Sequence, residues 1–145
     1  MLCAFCQKML DKKILEPAGL FILRLGIGIV FLSFGIGKLL HPTEWVLFIP
    51  SWLTDLLSHQ QRITVHVFLH IQGIVEAVIG FQLILGILTR LTACVASLVL
   101  FLIVYSIGFD PIGIRDTGLL FSSIVILILG PGEWSMDVWF KKYLK

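Results

Sequence analysis

Seven ionisable side chains stand inside, or at the margins of, long apolar runs: Arg24 and Lys38, then His66, His70 and Glu76, then Arg115 and Asp116. A charge held in hydrocarbon is costly, so groups of this kind turn toward a protein interior, where they pair or handle a substrate. Lys38 and His41 close one apolar run, His66 and His70 open the next, and Asp110, Arg115 and Asp116 bracket the start of a later one. These acids, bases and cations therefore gather at one depth. Imidazole and carboxylate exchange protons near working pH, and Lys or Arg stabilises a developing oxyanion. That chemistry suits a quinone, whose carbonyl must be oriented and whose reduction takes up protons. The same residues can equally form an ion-pair network that caps the ends of a helix bundle.

His66 and His70 are spaced i, i+4, at which two imidazoles can chelate one metal. No third ligand falls on the same turn, and there is no H-E-x-x-H pattern. One helix cannot supply both axial positions of a haem, which would need His41 or another residue opposite. We therefore expect neither metal nor haem. Cys3 and Cys6 form a C-x-x-C pair with no second such pair and no βαβ context. The pair is open to a thiol couple, half a metal site or a lipidation point, or to no role beyond a tail. Cys94, alone in an apolar run, reads as a small packing residue. No nucleotide-binding glycine loop, nucleophile elbow or Cys/His zinc spacing occurs, and close helix packing accounts for the glycines within the apolar runs.

Hydropathy dictates the elements that must position these groups. Of 145 residues, 58% are hydrophobic and 14% charged, with a mean hydropathy of +1.01, more apolar surface than a soluble domain of this size can bury. A formal charge of +2, with basic residues at segment ends, argues against a nucleic-acid partner. The first apolar run follows Lys8, Lys12 and Lys13 and is too long for a signal peptide, so no cleaved segment is expected. A helix needs about 20 residues to cross a hydrocarbon core of about 30 Å. Four stretches qualify: Ala18 to Leu40 with Pro17 at its entrance, Ile63 to Ile87, Leu91 to Phe109, and Thr117 to Leu129. The last borrows Asp116 and Gly130 and is stopped by Gly130-Pro131-Gly132.

Between the first two spans, Glu44 to Leu57 is too interrupted to cross and too apolar for a solvated loop, so it should lie in the interface. Ser51 can cap a short helix behind Pro50, Trp45 and Trp52 suit the headgroup level, and the segment is either an anchor or a lid. Lys8, Lys12, Lys13, Arg90, Lys141, Lys142 and Lys145 fall on one side, against Lys38, Arg62 and Arg115 on the other. Both termini are therefore expected in the cytoplasm, where Cys3 and Cys6 meet reducing conditions.

Arg24, Gly28, Phe31, Gly35 and Lys38 recur at steps of four and three, one face of a helix whose glycines admit a close neighbour. His66, His70, Gly73, Glu76 and Gly80 form the matching stripe on the second span. Counting from the expected ends, Arg24 lies roughly 9 Å inside one boundary and Glu76 roughly 10 Å. An Arg24 to Glu76 ion pair is expected from that depth. Gln72 and Gln82 can hydrogen-bond between helices.

With these residues in view the chain resembles the DoxX/DoxD family of small four-helix membrane proteins. Leu23-Arg24-Leu25-Gly26 through Phe34-Gly35-Ile36-Gly37-Lys38-Leu39 resembles the opening helix of that family. Gly73-Ile74-Val75-Glu76, Gly80 and Gly86-Ile87-Leu88-Thr89-Arg90 resemble its second helix and turn. Arg115-Asp116 and Gly130-Pro131-Gly132-Glu133-Trp134-Ser135-Met136-Asp137 resemble its fourth helix and tail. The fold implied is all-α, a four-transmembrane-helix bundle with a short interfacial segment between helices 1 and 2. Residues 1–17 would form a cytoplasmic tail, 18–137 the membrane domain and 138–145 a basic cytoplasmic tail.

The resemblance also implies a respiratory or redox setting, as a membrane subunit of a quinone-linked oxidoreductase, and the positive-inside sorting suits a bacterial inner membrane. The alternative it leaves is a non-catalytic scaffold or assembly subunit that docks another membrane protein. Arg24, Lys38, Glu76, Arg90, Arg115 and Asp116 carry over as the shared polar core. In the redox reading Glu76, Asp116, His66 and His70 exchange protons, Lys38, Arg115 and Arg24 bind the quinone, and a partner subunit supplies electrons. A transporter would need broken helices, and glycine apart the spans hold no such break.

Overall fold

Unbroken apolar runs give four helices long and apolar enough to cross a membrane: α1 (Lys12–Leu40), α4 (Val65–Leu85), α5 (Thr89–Ile107) and α6 (Pro111–Leu129). The computed structural model describes residues 12–59, 64–108 and 110–143, and side chains within these ranges except 12–14, 58 and 59. Cys3, Cys6, Lys8, Arg62, Ile63, Phe109 and Lys145, and the side chains of Lys12 and Lys13, lie outside the described set. Between α1 and α4 come α2 (Pro42–Trp45), a 3-10 turn (Val46–Phe48) and α3 (Ser51–His59), and α7 (Met136–Tyr143) follows the last span. All regular structure among the described residues is helical.

Two boundaries differ from the sequence expectation. Pro17 lies inside α1, which already runs from Lys12, instead of standing at its entrance. So near the helix start, a proline deletes a single bond to the carbonyl four residues back, and the helix absorbs it. The fourth span begins at Pro111, six residues before Thr117. Proline favours the first helical turn, and Arg115 and Asp116 neutralise each other on the helix instead of ending it. The second and third spans end within two residues of expectation, α4 at Gly86, whose φ of +69° is left-handed and whose N–H bonds Gln82 O.

The helices pack as two antiparallel pairs, α1 with α4 and α5 with α6, and contact between the pairs is much sparser. The expected face of α1 is buried: Arg24, Gly28, Phe31, Gly35 and Lys38 all point inward. At Gly35 an added Cβ would stand 2.5 Å from Ala77 N and 2.7 Å from Gly73 O, and at Gly80 2.6 Å from Gly28 O. Backbone therefore lies on backbone along this interface. Between α5 and α6, Ala93 and Ala96 are fully covered and the Ser97 and Ser123 hydroxyls meet at 2.7 Å. Thr92 Oγ1 on α5 donates to Gln82 Oε1 on α4 at 3.0 Å, the interhelical bond expected of Gln82. Gln72 instead donates within its own helix, to Glu76.

The apolar residues that stay exposed, such as Ile22, Ile29 and Ile36 on α1 and Phe121 and Ile128 on α6, form the outer surface that lipid would cover. The segment from α2 to α3 exposes Leu47, Phe48, Trp52 and Leu56 as well, while Trp45 packs edge-on against Phe34 with centroids 5.4 Å apart. At the other end of the bundle the tail turns back. Asp137 N bonds Gly86 O at 3.0 Å, and its carboxylate accepts Leu88 N at 2.7 Å and Thr89 N and Oγ1 at 2.8 Å each. Asp137 thus caps α5 from 48 residues downstream and steadies Leu88, whose φ of +48° is strained for a side-chain-bearing residue.

Substituting Gly35→Ala forces the α1 and α4 backbones apart and lowers stability by about 1–3 kcal/mol. Gly118→Ala, where nothing lies within 4 Å, raises stability slightly, by up to about 1 kcal/mol. Denaturant titration of the detergent-solubilised protein, followed by circular dichroism, reads both.

Candidate functional site

The contact of Gly35 with Gly73 fixes the antiparallel register of α1 and α4, and Lys38 Cβ falls beside Gly73. Side chains on a helix lean toward its N-terminus, so Lys38 leans inward along α1 while Glu76, one turn further along α4, leans back toward it. They meet as a buried pair: Lys38 Nζ to Glu76 Oε1 is 2.5 Å, with the residues 7% and 3% exposed. Gln72 Nε2 donates to the same Oε1 at 3.3 Å. Both donors converge on one carboxylate oxygen, and Oε2, also buried, has no hydrogen-bond partner among the described residues.

Across from this pair, α6 presents Arg115 and Asp116, joined Nε to Oδ1 at 2.8 Å. Asp116 is buried and Arg115 is half exposed, its guanidinium 4.8 Å from the centroid of Phe34. The Lys38 ammonium faces the Trp45 ring at 5.2 Å. Lys38, Gln72, Glu76, Arg115 and Asp116 line one cavity of about 480 Å³, whose other walls are almost wholly apolar. It opens where the two helix pairs part. Phe31 and Phe34 come from α1, Leu100 and Ile103 from α5, Leu119 from α6, and Trp45, Phe48, Pro50 and Trp52 from the segment between α1 and α4.

The expected Arg24 to Glu76 pair does not form, because Glu76 belongs to Lys38. Arg24 is 1% exposed and lies at the opposite end of α4, beside Gly86 and Ser135. Its Nη2 donates to Trp134 O, Phe21 lies 5.9 Å from its guanidinium carbon, and Asp137 is the acid that acts on it electrostatically. Gly86 is ten residues from Glu76, about 15 Å along the helix axis. Depth counted from each helix end misjudged the register that the glycine contacts set. The signal was present in the sequence, since Gly28 and Gly35 have the same spacing as Gly73 and Gly80.

His66 and His70 are exposed and do not line the cavity, and His70 Nδ1 lies 2.7 Å from His66 O on their own helix. α1 stops at Leu40 and the chain turns away at His41 and Pro42, so α1 does not reach that end of α4, against which only the short elements of the connector lie. The buried stripe of α4 runs instead through Leu69, Gly73, Glu76, Gly80 and Leu83. His41 and Asp110 are exposed too. Among the described residues no three His, Cys, Asp or Glu side chains are grouped to hold a metal. Cys94 is a partly exposed free thiol.

The model of the DoxX family matches residues 19–108. The chain belongs to the DoxX family. A relative in Mycobacterium tuberculosis, named "uncharacterized membrane protein Rv3486", is 32% identical over 143 aligned positions, covering 83% of this chain and 80% of its own. No solved structure matches. In this DoxX family member Lys38 and Glu76 fall inside the matched region, and Arg115 and Asp116 fall beyond it.

Removing one partner of the buried pair strands the other: Lys38→Met costs about 3–5 kcal/mol, and adding Glu76→Leu to it restores most of the loss. Asp137→Asn weakens the cap on α5 and lowers stability by about 0.5–2 kcal/mol. Thermal unfolding in detergent measures all three variants.

Proposed function

We propose that this protein is the membrane subunit of a quinone-linked redox complex and binds quinone in the cavity between its two helix pairs. The observation that carries this reading is one cavity with apolar and aromatic walls and four charges, two of each sign, gathered on it. A substituted quinone ring with an isoprenoid tail has the same division, polar at its two oxygens and apolar elsewhere. The volume, about 480 Å³, is in the range of small-molecule sites and accommodates the ring. Lys38 and Arg115 would orient a ring oxygen, and Glu76 and Asp116 would exchange the two protons that separate quinone from quinol. The two electrons would come from a partner subunit. His66 and His70 play no part, because they lie away from the cavity.

Arg90 and the basic C-terminal tail support an orientation with both termini in the cytoplasm of a bacterium, which sets the cavity toward the outer face of the membrane. The scaffold alternative draws support from the Lys38–Glu76 pair, which ties α1 to α4, and from Arg115 on α6, whose guanidinium lies against the Phe34 ring of α1.

Organic-solvent extraction of the purified protein should yield quinone. Lys38→Ala and Asp116→Ala should each lower the quinone-dependent activity of native membranes by about tenfold or more. Protein free of quinone, together with unchanged activity in both variants, would leave the scaffold reading standing.

A further inference from the structure

Glu76, in the wall of the cavity, carries an acceptor without a partner among the described residues. Lys38 Nζ and Gln72 Nε2 both donate to Oε1, while Oε2 is buried and has no partner among the described residues. Ion-paired to Lys38, the carboxylate is an acceptor only. A ligand that fits beside it must bring an O–H or N–H. The Lys38 ammonium has three N–H groups, of which Glu76 takes one, so the same corner also offers a donor to a ligand oxygen. One hydroxyl can satisfy both groups at once, donating to Oε2 and accepting from Nζ.

The two forms of a quinone differ in this one respect. The oxidised ring carries two carbonyl oxygens, which accept only, and placing one at Oε2 sets acceptor against acceptor. The reduced ring carries two hydroxyls. We infer that the Glu76 corner selects the reduced form, a hydroquinone, over the quinone of the same ring. The inference rests on the quinone reading above and deepens it: the cavity holds the product of reduction, or the substrate of an oxidation, more tightly than its partner in the couple. A charge-assisted hydrogen bond made by one form and denied to the other separates them by about tenfold or more.

The test uses the wild-type protein in lipid nanodiscs and three probes of one shape: an alkyl benzoquinone, its hydroquinone under anaerobic reducing conditions, and the hydroquinone methylated on both oxygens. The hydroquinone should bind about tenfold or more tightly than the quinone. The dimethyl ether, which has lost its donors, should bind no better than the quinone. Preferential binding of the reduced form raises the midpoint potential of the bound couple, by about 30 mV for each tenfold. Glu76→Gln, whose amide donates as well as accepts, should bring quinone and hydroquinone to nearly equal affinity. Equal binding of quinone and hydroquinone by the wild-type protein overturns the selectivity while leaving the quinone site intact. Binding of none of the three probes overturns the quinone reading, and the selectivity with it.

Discussion

Between Gly28 and Gly35 on α1, and Gly73 and Gly80 on α4, no side chain separates the two backbones. Inside a bilayer the hydrophobic effect does not drive helices together, because lipid tails are as apolar as leucine. Close approach must come from dispersion and from removing whatever stands between the chains, which is the service a glycine performs. One contact of this kind leaves a helix pair free to slide. A second, one glycine spacing further along, fixes how far each helix is advanced along the other. The position of every charge on α1 and α4 follows from that register, including the meeting of Lys38 with Glu76 and the separation of Arg24 from both.

The charges then divide by role. Arg24 sits with the backbone of the tail, and its guanidinium helps bring Trp134, Ser135 and Asp137 to the turn between α4 and α5. Lys38, Glu76, Arg115 and Asp116 surround open space. Opposite charges at a buried site are retained at the expense of desolvation, and well-packed apolar residues of similar volume would often serve stability as well. This polar set also faces a cavity, and one of its carboxylate oxygens has no partner among the described residues.

Much of this was legible in the residues. A run of about 20 apolar residues is a signal of composition, independent of helical phase, so all four spans could be read directly. The inward face of α1 could also be read, because Arg24, Gly28, Phe31, Gly35 and Lys38 keep a strict helical period. On α4 the period placed Gly73, Glu76 and Gly80 correctly and His66 and His70 incorrectly, since phase does not reveal where the neighbouring helix stops. The partner of Glu76 was missed for a related reason: depth was counted from helix ends, which fray and shift, instead of from the paired glycines. The cap that Asp137 lends to α5, 48 residues away, has no local pattern at all. Nor has the cavity, which is made by the parting of two helix pairs.

That parting is not even along the bundle. At the Gly86 end, Asp137 binds the turn between α4 and α5, and Arg24 binds the backbone before it, so chain from α1, α4, α5 and the tail is knotted together by hydrogen bonds. At the Lys38 end the pairs face each other across a void, with aromatic side chains of the α1 to α4 connector laid over it. The molecule is tied by hydrogen bonds at one end and opens into a cavity at the other. α5 is 19 residues long, about 28 Å at 1.5 Å per residue, so a tilt of roughly 6° about the knotted end moves its far tip by about 3 Å. A displacement of that size is close to the thickness of an aromatic ring.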